Sequence, residues 1–188
     1  MDVKGTAFLA RKSQVVAMCG EERWRSFLGR LAASRPVFGQ PVTALTRIPL
    51  ADFLAFQEAA VTELFDGDPQ AYWIMGEKSA EWALRDGPYK VFLTDKSVEQ
   101  FVEVSLPSIW KAYYTEGRID ILREGRILNI KVLDVPIPHV YFEYLVMGYL
   151  KRSFELLGVK DCTPRRIRGV SAGDAEIHYQ FEVPLPRA

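Results

Sequence analysis

The sequence predicts an α+β fold: a helical part over residues 1–116, then a sheet part over 117–183 that runs strand, strand, helix, strand, strand. Three observations carry this prediction. Period-two alternation of polar and apolar residues appears only beyond about residue 117. Before that point the apolar residues recur at helical spacing. Two turn signals, Gly125 and Ser171-Ala172-Gly173-Asp174, each sit between extended runs. Two hairpins joined by a helix form a four-stranded antiparallel sheet with the helix across one face.

The helices follow in order. Thr6 suits the cap of a first helix over 7–18, with Phe8, Leu9, Val15, Val16 and Met18 as apolar positions and Gly20 as its end. Glu21 and Glu22 suit the start of a second helix to about Ala32, where Trp24, Phe27, Leu28 and Leu31 make one stripe. Pro36, Gly39, Pro41 and Pro49 mark a loop with an extended piece at 42–48. A third helix spans 50–65. Asp66-Gly67-Asp68-Pro69 stops it and starts a fourth, which reaches Leu84 before Gly87-Pro88 breaks it. Asp95 suits the cap of a fifth, and Pro107 forces a kink or break before 108–114.

In the sheet part, the alternation over 118–123 and the β-branched run 127–133 read as a hairpin. Pro136 and Pro138 end it, because proline has no N–H for a ladder. A helix over 139–157 follows, with Gly158 as its C-terminal cap. Strands at 163–170 and 175–183 close the unit. In the last strand Ile177, Tyr179, Phe181 and Val183 point to a core, and Glu176, His178, Gln180 and Glu182 point away from it.

The chain has 188 residues, 48% of them hydrophobic, a length and composition that suit one domain, 1–188. The formal net charge is zero, which argues against nucleic acid as a partner. Residues 50–116 carry five basic and twelve acidic side chains, between flanks with eight against three and eleven against nine. Such an acidic middle either steers a partner or is a set of solvated helix faces, and the second reading is the expectation. No apolar run reaches the ~20 residues of a membrane span. Two cysteines without metal-ligand spacing, and an N-terminus without an apolar signal core, predict a reduced, cytoplasmic setting.

No catalytic signature is present. His139 and His178 have no histidine partner at i+4, no Gly-x-Ser-x-Gly elbow occurs, and no metal pattern emerges from two histidines and two cysteines. Asp66-Gly67-Asp68 lacks the remaining ligands of a calcium loop and is explained as turn and cap. The densest basic cluster is Arg165, Arg166 and Arg168 with Lys151 and Arg152, and Arg166 and Arg168 are expected to share a strand face. No glycine-rich phosphate loop accompanies it. Aromatic residues are the remaining candidates. Tyr72, Trp73, Trp110, Tyr113, Tyr114 and Phe142, with Trp82 and Tyr144 nearby in sequence, either fill the core or line an apolar ligand pocket between the fourth helix, the fifth and the helix 139–157.

Two parts of the chain resemble one family. Lys4-Gly5-Thr6-Ala7-Phe8, then Val15-Val16, then Gly20-Glu21-Glu22-Arg23-Trp24 resembles the start of haem-nitric-oxide-binding (H-NOX) domains, with their Gly-x-Glu-x-Trp signature. The strand–strand–helix–strand–strand end resembles their C-terminal half, and also vinyl-4-reductase and Golgi-transport (TRAPP) domains. The Lys-Gly-Thr opening is similar to that of an uncharacterised myxobacterial domain family. The resemblance implies an H-NOX fold without haem. Alignment of 97–101 with the family's haem-binding helix places Trp110 where the ligating histidine belongs. Asp134-Val135-Pro136-Ile137-Pro138 stands where the family's Tyr-x-Ser-x-Arg motif belongs. The expectation is a non-catalytic signalling or adaptor domain with no cofactor, whose partner is a protein, a second copy of the chain in a homodimer, or a small apolar ligand. A haem or gas sensor with an unusual ligand, and a small-molecule-processing enzyme, stay open as alternatives.

Overall fold

The computed structural model describes residues 1–184 apart from 86, 88, 95 and 161. The helices are α1 (Gly5–Cys19), α2 (Glu21–Ser34), α3 (Leu50–Leu64), α4 (Gln70–Ala80), α5 (Val98–Gln100), α6 (Leu106–Tyr113) and α7 (Val140–Leu156). A π turn, Glu81–Arg85, prolongs α4, and a second, Phe101–Ser105, joins α5 to α6. The strands are β1 (Asp2–Lys4), β2 (Arg47–Pro49), β3 (Arg118–Glu124), β4 (Ile127–Leu133), β5 (Pro164–Arg168) and β6 (Ile177–Glu182).

The predicted sheet is present: β3-β4-β6-β5, antiparallel throughout. Ile177, Tyr179, Phe181 and Val183 are buried as the alternation requires. α7 crosses the inner face, where Phe154 meets Phe181 with ring centroids 5.4 Å apart. Burying a side chain of this size stabilises by about 1.5–3 kcal/mol. On its other side α7 packs on α4 at unusually close range. A Cβ on Gly76 would meet the Leu145 carbonyl, and one on Gly148 would meet the Trp73 carbonyl, so both contacts require glycine.

Several local expectations are corrected. A second sheet precedes the first: β1 and β2 pair antiparallel, Val3 opposite Ile48, and Val3 also bridges Tyr114. Of the extended piece expected at 42–48 only Arg47 and Ile48 are strand, as part of β2. Because β1 runs straight into α1, the helix starts at Gly5, whose N–H donates to the Thr46 carbonyl (2.8 Å). Thr6 therefore does not cap it, and its hydroxyl reaches the Ala44 carbonyl instead. Met18, an expected apolar position, is 57% exposed near the helix end. Asp68 accepts the Gln70 N–H (2.9 Å), as its capping role requires. Asp95 and Pro88 lie outside the described residues, and α5 is capped by a reciprocal box between Ser97 and Gln100. Pro107 sits in the first turn of α6, directly after the π turn.

The basic cluster divides. A bulge between Arg166 and Arg168 sets Arg166 opposite Tyr179 and Arg168 opposite His178, so the two side chains leave on opposite faces. Arg168 pairs with Glu176 (2.6 Å), while Lys151 and Arg152 pair with Glu77, Glu81 and Glu155. Arg166 reaches the fully buried Glu143 of α7 (2.9 Å), which also accepts the N–H and hydroxyl of Ser171. Among the described residues no helix is long and apolar enough to cross a membrane.

Candidate functional site

α1, α6 and α7, with Ser79 of α4 and Ile119 of β3, line a partly open cavity of about 50 Å³. Three of the nominated aromatic residues, Trp110, Tyr113 and Tyr114, line it together. All are buried because the last turn of α6 faces inward, with Tyr114 tied down by its bridge to Val3. Phe142 packs behind them, 6.2 Å from the Trp110 ring and 5.7 Å from Tyr114. Tyr72 lies further back, edge-on to Tyr141 at 6.3 Å. Trp73 is elsewhere: its indole N–H donates to Glu77, and it borders an open groove with Tyr144, Arg166 and Tyr179.

Trp110 is a core side chain, 4% exposed. Its indole N–H donates to the Glu116 carbonyl (3.1 Å), and its ring lies 4.4 Å from that of Tyr114. Gly117, at φ 73°, completes the seat, since a Cβ there would stand 3.1 Å from both Trp110 and Val135.

The rest of the lining was not nominated from sequence. Leu106, Ile109, Leu145, Val146 and Leu150 make it apolar, but Arg11, Tyr141 and Tyr149 bring polar atoms into it. Arg11 is 2% exposed. Its Nε donates to Gln57 Oε1 (3.2 Å), and Nη1 donates to Gln14 Oε1, whose amide is held in turn by Ser79 (3.0 Å). Among the described residues no carboxylate pairs with it. Burial pushes its pKa down to about 10, partly offset by the tyrosines around it. Tyr114 and Tyr141 share a hydroxyl–hydroxyl hydrogen bond (2.8 Å). The hydroxyls of Tyr113 and Tyr149 are buried near one another, close enough to perturb each other's titration, but neither makes a hydrogen bond of normal geometry. Burial raises the pKa of all four phenols, Tyr141 to about 12, so they are neutral at physiological pH.

A sequence signal for these residues exists. Ala7, Arg11 and Val15 fall four apart on α1, which puts a guanidinium on the buried stripe. Tyr141, Leu145 and Tyr149 repeat at the same interval on α7. The histidines are not part of the site. His139 caps α7, its Nδ1 accepting the Tyr141 N–H (3.0 Å), which leaves Nε2 to donate to Glu58 (2.9 Å). His178 is on the other sheet face, against Asn129. Among the described residues no three potential metal ligands cluster.

No family model and no curated protein matches the sequence. Solved structures do. An H-NOX protein from S. oneidensis in its Fe(II)NO state superposes with a TM-score of 0.75 at 14% identity, covering 96% of this chain and 98% of that one. The chain has the H-NOX fold. An oxygen-binding H-NOX domain related to soluble guanylate cyclases matches with a TM-score of 0.70 at 11% identity, over 98% of both chains. An Fe(II) unliganded H-NOX mutant from K. algicida matches at 0.67 and 11%, over 96% of both.

Proposed function

We propose that this chain is a non-catalytic signalling or adaptor domain on the H-NOX fold, in which the haem site is lost and the remaining cleft takes a small ligand. The observation that carries the proposal is the seat of Trp110. Where the family resemblance places a ligating histidine there is a buried indole, which offers a donor N–H and no lone pair for a metal. That N–H is already committed to the Glu116 carbonyl.

Two further features support the loss. The cavity, about 50 Å³, is well below the roughly 300–1,000 Å³ of small-molecule and cofactor pockets. Both histidines are engaged away from it, with Glu58 and Asn129. The residues present do not fit a haem. The Lys-Gly-Thr opening supports a place beside the myxobacterial family, and a protein partner or second copy would then read out the ligand state from the surface.

A haem or gas sensor with an unusual ligand is the second reading, and the tyrosines favour it, since a phenolate can bind haem iron. Their raised pKa values oppose it. Reconstitution with hemin separates the two. The expected spectrum is that of free hemin. A sharp Soret band that Tyr114→Phe or Tyr149→Phe removes would establish the second reading and sink the first.

A further inference from the structure

We infer that the cavity is a binding site for a short-chain monocarboxylate of two or three carbons, its carboxylate held by Arg11 and the hydroxyls of Tyr113 and Tyr149. The inference rests on the ligand-binding reading above and names the ligand class.

Charge is the first argument. Taking a guanidinium out of water without a counter-charge is costly, and buried arginines are normally paired. Arg11 has two neutral glutamine partners, and among the described residues its Nη2 makes no hydrogen bond. An anion supplied from solution completes it, in the bidentate geometry that suits a carboxylate.

Unmet donors are the second. Tyr113 and Tyr149 are 8% and 7% exposed and both line the cavity, and their hydroxyls lie near one another without a hydrogen bond of normal geometry. Leaving such groups unsatisfied is costly, and native proteins rarely do so without a reason. Neutral phenols donate to an oxyanion. In the Tyr114–Tyr141 pair one hydrogen lies between the oxygens, which leaves one more to donate.

Size and lining settle the class. At about 50 Å³ the cavity suits a ligand of a few heavy atoms and not a drug-sized one. Acetate and propionate are of that size. Among the described residues Arg11 is the only ionic side chain in the lining, which suits a single negative charge, and Leu106, Ile109, Leu145 and Val146 suit a carbon tail over a bare inorganic ion.

Thermal melts of the full chain in sodium propionate, acetate, nitrate and chloride at equal ionic strength test this, because a ligand of the folded state raises the melting temperature in a saturable way. The expected result is a saturable rise with propionate and acetate, a smaller one with nitrate and none with chloride. Arg11→Met should weaken binding roughly tenfold or more, and Tyr149→Phe about threefold to tenfold. Arg11→Met should also melt no lower than the parent without ligand, since it removes an uncompensated buried charge. The inference is overturned by the lack of a propionate-specific rise, by nitrate matching propionate, or by an unaltered rise in Arg11→Met. If Arg11→Met does not fold, an unchanged affinity in Tyr149→Phe overturns it. A Soret band in the hemin experiment sinks the ligand reading itself, whereas no hemin and no propionate binding sinks this inference alone.

Discussion

The two walls of the cavity are built on opposite principles. On one, Trp110, Tyr114 and Phe142 pack ring against ring at tilted angles, and both polar tips, the indole N–H and the Tyr114 hydroxyl, have protein partners. On the other, Arg11, Tyr113 and Tyr149 are as deeply buried, yet among the described residues the charge has no carboxylate and the two hydroxyls make no hydrogen bond of normal geometry. The difference teaches where each kind of free energy is stored. The first wall stabilises the fold at the expense of any vacancy. The second leaves stability unclaimed, which a bound group can recover.

Truncation should separate the walls most sharply. Trp110→Ala removes a large, fully packed ring and leaves the Glu116 carbonyl without its donor. A loss of about 3–5 kcal/mol is expected in urea unfolding. A loss below about 1 kcal/mol, with the indole of the parent open to acrylamide quenching, would refute the dry-wall description. Gly148→Val tests the helix pair that supports both walls. Its side chain would strike the Trp73 backbone, and about 1–3 kcal/mol of destabilisation is expected, with α4 pushed off α7. An unchanged melting temperature would mean the crossing is looser than described. Tyr114→Phe deletes one hydrogen bond and no volume, so about 1 kcal/mol should be lost. Tyr149→Phe, whose hydroxyl makes no hydrogen bond of normal geometry, should cost less than Tyr114→Phe in the absence of ligand. The reverse order would break the comparison.

The smallest effect is a difference in alkaline stability. Unfolded tyrosines titrate near pH 10, while the four cavity phenols are held higher, Tyr141 at about 12. Above pH 10 the unfolded chain therefore releases protons that the folded chain keeps, and stability, complete below pH 10, falls as the pH rises toward 12. Arg11 acts in the opposite sense. Its folded value is about 10 and its unfolded value above 12, so the folded chain loses that proton first and gains stability over the same window. Four phenols outweigh one guanidinium. Melting temperatures should fall from pH 10 to 12, and fall less steeply in Tyr149→Phe. A flat profile would mean that these phenols are not buried.

The strands and long helices of the sheet part were legible in the sequence to within a few residues, because each is long enough to show its period. β1 and β2 were not. Each is three residues long, too short to show a period, and they pair across more than forty residues of sequence. The shared face assigned to Arg166 and Arg168 failed for a related reason: period two holds only until a bulge adds a residue, and no residue type here announces one. At the site, attention to aromatic residues found Trp110, Tyr113 and Tyr114. It passed over Arg11, whose charge is conspicuous only once its neighbours four positions away are known to be buried.

The π turn at Phe101–Ser105 makes the same point as a matter of counting. An α-helix advances about 100° per residue, and a π turn holds one residue more than the α-helical count allows. A helical wheel drawn straight through from Val98 therefore sets Trp110 about one residue's rotation from the face it occupies. The surplus residue is also a reserve. A chain shortened by one position there can close into ordinary α-helix with Ser97 still capping one end and Trp110 still seated at the other, so the span between the capping box and the indole tolerates an edit in length that α7, gripped on both faces, does not.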